Sequence, residues 1–303
     1  MKNVMNNNSM KNVMNNNAMK FVKSVKNVLF GILCIVFFIL FILKINFEEK
    51  FENNQKVILS MTTNPTRIKN ISKVLDSIDL TLVDIIQINL PLKFRNEYSY
   101  DQNDIVNLQK LNDKIKIRIF QEDLGPIMKI IPTLETYTDP NAVVVVIDDD
   151  ILYNNYLIKR LLESINHDPN KVYSGKIFKL GDYNISKFAN HFTAFIAEGW
   201  TSIAFKRSLI TNEMIQEMKY ITNLNNFCKL SDDFVFSYVL NNVGIKVSSI
   251  NLIPDFLDYA VSDSFSLYKG SGLSNDELNK FSSSDYFDKN MLKYDMCYAS
   301  IKN

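Results

Sequence analysis

Residues 142–150 read AVVVVIDDD, and this stretch decides the predicted fold. An unbroken run of mostly β-branched residues, with no polar alternation, is typical of a strand buried on both faces at the centre of a parallel sheet. Three carboxylates follow directly, at the carboxyl end of that strand. Because ligands bind at this edge of open α/β sheets, the stretch predicts a central parallel strand with a binding site at its end.

Strands and helices alternate around this central run. Alternation of this kind predicts an α/β fold with a Rossmann-like, mostly parallel central sheet and flanking helices. The second half is less regular, as suits a substrate-facing region. The predicted strands are residues 56–61, 84–90, 114–120, 142–147, 172–178, 202–205 and 245–250, and the predicted helices are residues 68–78, 127–137, 154–165 and 233–241.

The three consecutive acids predict a metal site. Like charges placed side by side raise one another's pKa and cost stability unless a cation neutralises them. In an extended segment Asp148 and Asp150 project to one side and can share one hard cation, Mn²⁺ or Mg²⁺, that also holds a diphosphate, while Asp149 faces elsewhere. A solvated acidic turn or a helix cap before Ile151 is the alternative; the buried strand before the acids and the helix after them favour the metal.

In this setting the chain resembles the nucleotide-sugar-dependent glycosyltransferases of the GT-A fold, whose Asp-x-Asp motif follows a strand in the same way. The resemblance covers residues 56–260. It implies that Asp148 contacts the donor ribose or metal-bound water and that Asp150 ligates the metal on the diphosphate. It also implies a nucleotide-sugar donor and a glycan, protein or lipid acceptor.

Two segments before the acids are similar to the donor pocket of that family. In SMTTNPTR, residues 60–67, Thr62 or Thr63 would hold the nucleoside, and Arg67 would meet phosphate or base. In DLGP, residues 123–126, the chain turns toward Lys129, which would offset phosphate charge. A plain loop with a surface arginine, and a turn with an exposed lysine, are the alternatives.

Two further segments resemble the sugar-binding and catalytic parts of the family. Glu198, Gly199 and Trp200 correspond to a loop in which glycine allows close approach and an aromatic ring stacks on a sugar; a core aromatic is the alternative for Trp200. Asp232 and Asp233 open a helix and suit its N-terminus electrostatically. By resemblance, an acid here deprotonates the acceptor hydroxyl, and we favour Asp233 over Asp232.

The N-terminal region predicts a membrane anchor. Residues 1–27 are Asn-rich and predict a disordered cytoplasmic tail, residues 28–45 an apolar transmembrane helix, residues 46–55 a short stem and residues 56–303 the catalytic domain. Five lysines precede the helix and acids follow it, so we expect type II topology, with the domain in the lumen of a Golgi-like or ER-like compartment. A buried core helix and a cleaved signal peptide are the alternatives.

The rest of the sequence argues against one class of partner and leaves several residues and functions undecided. Beyond residue 44 acids outnumber bases, so nucleic acid is not an expected partner. Cys228 and Cys297 are either a disulfide or two buried thiols. Asp258 and Asp263 are candidates for a third metal or acceptor contact. The rival functions are a GT-A-like nucleotidyltransferase and a non-catalytic, membrane-anchored sugar-binding protein.

Overall fold

A computed structural model describes residues 26, 29–42, 55–179, 194–256, 273–282 and 286–303. The chain divides into two compact units, Met1–Gln55 and Lys56–Asn303. In the first, residues 29–42 form a helix, and the predicted anchor at 28–45 extends past them at both ends. None of the helices that the described residues form has both the length and the apolar character needed to cross a membrane. Most of the predicted tail and stem lies outside the described residues.

The second unit is built from short strands and helices in alternation. Its strands are β1 (Val57–Thr62), β2 (Ile85–Pro91), β3 (Ile115–Phe120), β4 (Val143–Val146), β5 (Ile151–Leu152), β6 (Lys171–Ser174), β7 (Ile177–Lys179), β8 (Phe195–Ala197), β9 (Ile203–Lys206), β10 (Lys246–Ser249) and β11 (Asp255–Phe256). Its α-helices are α1 (Ile71–Leu75), α2 (Gln102–Lys110), α3 (Ile131–Thr136), α4 (Leu157–His167), α5 (Asn212–Thr222), α6 (Asn226–Lys229), α7 (Asp232–Asn242), α8 (Asn275–Ser282) and α9 (Tyr286–Lys302). The 3-10 helices are Ile68–Asn70, Leu80–Leu82, Gly125–Lys129, Gly199–Thr201 and Arg207–Leu209.

Seven of the described strands form one sheet, in the order β10-β6-β9-β4-β1-β2-β3. The pairs β1–β2, β1–β4, β2–β3 and β6–β10 are parallel, whereas β9 is antiparallel to both β4 and β6. Strand β9 therefore runs against the other six. The prediction of a mostly parallel α/β sheet with flanking helices is confirmed.

Strand β4 occupies the centre, as its composition requires. All four of its valines are fully buried. Val144 and Val146 belong to a cluster with Phe205 and Phe234 on one face of the sheet, while Val143 and Val145 point to the other face. Each fully buried valine contributes roughly 1.5–3 kcal/mol of hydrophobic free energy, which holds the residues after β4 on a rigid base.

Three predicted elements are divided in the structure. The predicted helices at 68–78 and 127–137 each begin as a 3-10 helix, Ile68–Asn70 and Gly125–Lys129, before continuing as α1 and α3. In the second case the two helices meet at Ile130, whose φ is −114°, and Pro132 lies in the first turn of α3, where its missing N–H is tolerated. The predicted strand at 172–178 is divided into β6 and β7 at Gly175, where an added Cβ would lie 2.4 Å from the Leu252 carbonyl oxygen.

The C-terminal region contains helices that the sequence pattern did not predict. Helix α9 packs against α6, and Cys228 and Cys297 join them in a buried disulfide with a Cα–Cα distance of 4.7 Å. This bond decides between the two alternatives that the sequence left open for the cysteines. It also fixes α9 beside the start of α7, only four residues along the chain from Cys228.

Candidate active site

The site lies where β1 and β4 end side by side. These strands pair in parallel, with Ser60 opposite Val146, so the loop after β1 meets the three acids after β4. The Asn64 side chain accepts hydrogen bonds from the backbone N–H groups of Thr66 and Arg67, at 2.9 and 3.0 Å. Such a turn, stabilised by an asparagine side chain, sets the direction in which the loop leaves the strand.

Arg67 binds two of the three acids. Its Nη1 donates to Asp149 Oδ1 at 2.9 Å and to Asp150 Oδ2 at 2.7 Å. Thr63 Oγ1 donates to the second Asp149 oxygen at 2.6 Å. We call Arg67, Asp149 and Asp150 the arginine cluster. The sequence predicted an extended segment in which Asp149 points away from Asp148 and Asp150. This prediction is wrong for Asp149, because Asp149 and Asp150 lie in a turn and both bind Arg67.

Lys129 binds the third acid. Its Nζ lies 2.5 Å from Asp148 Oδ1 and 2.8 Å from Asp232 Oδ2, and its side chain is 5% exposed. We call Lys129, Asp148 and Asp232 the lysine cluster. Burial favours the neutral amine, but Asp148, Asp232 and Asp233 together outweigh it, so the pKa of Lys129 is raised and the ammonium form is stabilised. The sequence left an exposed lysine after a turn as the alternative for Lys129. The structure shows a buried lysine that contacts two acids.

Asp233 lies beside the lysine cluster and is held by a glycine backbone. Its Oδ1 accepts a hydrogen bond from Gly199 N–H at 3.0 Å. A Cβ added at Gly199 would lie 2.5 Å from that oxygen and 2.8 Å from Lys129 Nζ, so this close approach requires glycine. Burial, and then repulsion from Asp232, raise the pKa of Asp233 well above its ordinary value, with Lys129 opposing. Ser231, the residue before α7, makes no side-chain capping bond to the helix.

Trp200 and Glu198 are connected to the acids through Tyr153. Asp148 N–H donates to Tyr153 Oη at 2.9 Å, and that hydroxyl donates to the Trp200 carbonyl at 3.1 Å. Trp200 Nε1 donates to Glu198 Oε2 at 2.8 Å, and Lys176 Nζ lies 3.6 Å from the other Glu198 oxygen. Trp200 is half-buried, and the Lys176 ammonium lies 6.0 Å from the centroid of its ring.

The predicted residues do not all converge. Thr62 Oγ1 donates to the Asn89 carbonyl at 2.7 Å, toward β2 and away from the acids. Its direction follows from the strand, since neighbouring side chains alternate in direction and Thr63 contacts Asp149. Asp258 and Asp263 lie outside the described residues.

The site contains more acidic than basic side chains. Burial, and then the Asp149 charge, raise the pKa of Asp150 to about 7, although Arg67 opposes the shift. Burial also raises the pKa of Asp148, with Lys129 opposing. A further cation, Lys293 on α9, interacts with Asp232 and Asp233. Five carboxylates thus face three cations among the described groups: Asp148, Asp149, Asp150, Asp232 and Asp233 against Arg67, Lys129 and Lys293.

The donor atoms fit a divalent cation that a substrate helps to hold. Asp148 Oδ2 and Asp150 Oδ1 have no hydrogen-bond partner within the described part of the chain, because Lys129 and Arg67 bind the other oxygens. Carboxylate oxygens are the ligands that Mg²⁺ and Mn²⁺ prefer, and Mg²⁺ is often held by one or two carboxylates plus substrate phosphates. In the ranges that the structure describes, no group of three or more His, Cys, Asp or Glu side chains is arranged to hold a metal ion. A metal ion held by Asp148 and Asp150 would therefore need further ligands from a bound substrate.

Comparisons with known proteins give only distant likenesses. No protein-family model matches the sequence, and no curated protein matches it. One similar solved structure is a mannosyltransferase from Pyrobaculum calidifontis in complex with GDP-Man and Mn²⁺, with 11% identity and a TM-score of 0.43, covering 81% of this chain and 70% of that one. Another is 4-diphosphocytidyl-2C-methyl-D-erythritol synthase from Anaerococcus prevotii DSM 20548, with 13% identity and a TM-score of 0.40, covering 69% and 93%. Because both TM-scores are below 0.5, the function proposed below rests on this chain's own residues.

Proposed function

We propose that this chain is a membrane-anchored, metal-dependent glycosyltransferase of the GT-A type, which transfers a sugar from a nucleotide diphosphate sugar to an acceptor hydroxyl. The observation that carries the proposal is the excess of carboxylates over cations at the carboxyl edge of a mostly parallel sheet, where Asp148 and Asp150 each keep one oxygen without a hydrogen-bond partner among the described residues. The pKa values of Asp148, Asp150 and Asp233 are all raised, and a bound divalent cation would stabilise the ionised form of such acids.

Asp148 and Asp150 would hold the Mn²⁺ or Mg²⁺, and the bound ion would supply positive charge that stabilises the departing diphosphate. Arg67 would contact phosphate: a guanidinium can bind two oxygens at once, and here it bridges two carboxylates. Thr63 keeps Asp149 oriented toward Arg67. Lys129 opposes the rise in the pKa of Asp148 and holds one of its oxygens by a hydrogen bond.

Asp233 would accept the proton of the acceptor hydroxyl. A general base works best when its pKa lies near the working pH, and the raised pKa of Asp233 moves it in that direction. The Gly199 N–H fixes one of its oxygens, which leaves the other for the acceptor. Asp232 would act through Lys129, with which it is paired. Trp200, with Glu198 bound to its indole N–H, would stack on a sugar ring.

A panel of nucleotide sugars tests this function directly. The full chain in detergent should release nucleoside diphosphate from at least one donor with Mn²⁺ or Mg²⁺, and release should stop in excess EDTA. Asp150→Asn should lower the rate at least 100-fold, whereas Asp113→Asn, an exposed acid far along the chain, should not change it. Full activity in EDTA would refute the role of the metal.

The same panel separates the rival functions. A nucleotidyltransferase would release pyrophosphate from a nucleoside triphosphate in the presence of a sugar phosphate. A non-catalytic protein would bind a sugar and turn over nothing. The loop after β1 favours sugar transfer, because Asn64 and the single arginine that follows form a compact turn instead of a Gly-rich phosphate-binding loop.

We extend the proposal to topology: residues 28–45 anchor the chain, and the catalytic unit lies in the lumen of a Golgi-like or ER-like compartment. The Cys228–Cys297 disulfide supports an oxidising compartment. Protease added to intact membrane vesicles should leave the catalytic unit uncut until detergent is added. Digestion in intact vesicles would contradict this orientation.

A further inference from the structure

Polar side chains interrupt the apolar strands β1 and β2 in the interior of the sheet. Ser60, Gln87 and Asn89 are all fully buried, although burying a polar group costs free energy unless it is hydrogen-bonded. The two strands pair with Ser60 opposite Gln87, so these groups lie close together. Thr133, on the adjacent helix α3, is fully buried as well. Such a cluster within an apolar core calls for a physical reason.

The buried groups are joined by hydrogen bonds that lead inward from Tyr137. The hydroxyl of this half-buried tyrosine donates to Gln87 Oε1 at 2.8 Å. Gln87 Nε2 donates to Asn89 Oδ1 at 3.0 Å, and Asn89 Nδ2 donates to Thr133 Oγ1 at 2.8 Å. Thr133 Oγ1 lies 2.5 Å from Ser60 Oγ. We call these five side chains the polar network.

The polar network ends on the backbone that carries Lys129. Ser60 Oγ donates to the Lys129 carbonyl at 2.6 Å. Because this bond uses the single hydroxyl proton of Ser60, Thr133 donates to Ser60, and all the bonds from Tyr137 onward run in one direction. Asn89 Nδ2 also donates to the Met128 carbonyl, at 2.9 Å. Side chains from β1 and β2 thus hold two successive carbonyls at the end of the 3-10 helix before α3.

These backbone contacts restrict where the Lys129 ammonium can lie. It reaches Asp148 at 2.5 Å and Asp232 at 2.8 Å, and a Cβ added at Gly199 would lie 2.8 Å from it. A buried ion pair repays the desolvation of its charges only when its geometry is good. A shift of the lysine backbone would therefore weaken both pairs.

We propose that the polar network is a positioning device of the active site: by fixing the backbone at Lys129, it holds the lysine ammonium between Asp148 and Asp232. The network acts on the proposed metal ligand Asp148 through the lysine and not by direct contact. Its consequence for turnover rests on the proposed function, but the placement of the ammonium can be measured without any substrate.

A double-mutant cycle tests this placement by thermal unfolding of the full chain in detergent, without metal or donor. Thr133→Val replaces the hydroxyl in the middle of the polar network by a methyl group. It should lower the unfolding midpoint by roughly 2–4 °C more in the wild-type background than in Lys129→Met, because only the former has ion pairs to weaken. If Lys129→Met does not fold, Asp232→Asn is the milder background, with the same expected direction. Equal shifts in the two backgrounds would overturn the inference.

Thr222→Val is the matched control for this cycle. Thr222 is 1% exposed, and its hydroxyl has no hydrogen-bond partner in the part of the chain that the structure describes. The substitution breaks no bond of the polar network, so its effect on the midpoint should be the same in both backgrounds. A difference as large as that for Thr133→Val would show that the background itself causes the difference, and would overturn the inference.

Turnover measures the consequence for catalysis, with the donor that the panel identifies. Because a displaced lysine no longer holds Asp148 in place, Thr133→Val should lower kcat about tenfold or more, while Thr222→Val should leave kcat unchanged. Thr133→Ser keeps the hydroxyl and should retain most of the kcat. An unchanged kcat in Thr133→Val, or an equal loss in Thr133→Ser, would overturn the inference. Turnover of no donor would instead overturn the proposed function, and the unfolding cycle would still decide the placement of the ammonium.

Discussion

The arginine cluster and the lysine cluster lie at the same edge of the sheet but are built differently. Arg67 is a forked cation on a loop, 13% exposed, which bridges Asp149 and Asp150. Lys129 is a compact cation, 5% exposed, held between acids from two different elements, the end of β4 and the start of α7. Because the lysine cluster is more deeply buried, we expect it to contribute more to the stability of the fold than the arginine cluster.

Removing the lysine should have the largest effect on stability. Lys129→Met leaves Asp148 and Asp232 buried without their cation, which costs about 3–5 kcal/mol of unfolding free energy. Arg67→Met should cost clearly less, because its cluster is nearer to solvent. Chemical denaturation of both variants checks the difference. Equal losses would show that the two clusters have the same role.

Adding a methyl group beside the lysine cluster should have an intermediate effect on stability. In Gly199→Ala the new methyl meets Asp233 Oδ1 and Lys129 Nζ, and overpacking of this kind costs about 1–3 kcal/mol. We expect a loss of turnover as well, because Asp233 must move. Gly244→Ala is the matched control: its position has a φ of +75° but no atom within 4 Å of the added Cβ, so it should lose stability and keep its activity. Normal turnover by Gly199→Ala would contradict the role given to Asp233.

Neutralising one acid of the arginine cluster should have the smallest effect on stability, with a sign that depends on pH. The pKa of Asp150 is raised by burial from 3.8 to about 7 in the folded chain, so between these values the folded state binds more protons than the unfolded state. Its contribution to stability is therefore lost as the pH rises through this window. In EDTA, Asp150→Asn should flatten that decline in the unfolding midpoint. Parallel pH curves for the two proteins would contradict the burial of an uncompensated charge.

The sequence predicted where the site lies, at the carboxyl end of β4, better than it predicted which side chains bind each other there. The valines of β4 and the acids after them carry a local signal, which gave the strand, its burial and the place of the site. Arg67 and Asp149 are 82 residues apart, and no local pattern shows which acid an arginine will bind. The reversal of β9 likewise depends on its neighbours in the sheet, not on its own four residues.

The C-terminal helix α9 is a stronger example of a long-range contact that the sequence did not predict. The segment KNMLKYDMCYASIK, residues 289–302, mixes polar and apolar residues without a clear helical face, so no local signal showed what the helix packs against. In this segment the sequence suggested a partner for Cys297 alone, as one of two alternatives for the pair Cys228 and Cys297. The disulfide brings α9 to α6, and the rest of the helix comes with it.

The central claim is that Asp148 and Asp150 hold one divalent ion together with a diphosphate. Electron paramagnetic resonance of free Mn²⁺, titrated against the full chain in the presence of a nucleoside diphosphate, measures this binding without requiring turnover. The account predicts one bound Mn²⁺ per chain for the wild type and for Asp113→Asn, and none for Asp150→Asn. Equal binding by the wild type and Asp150→Asn would contradict it.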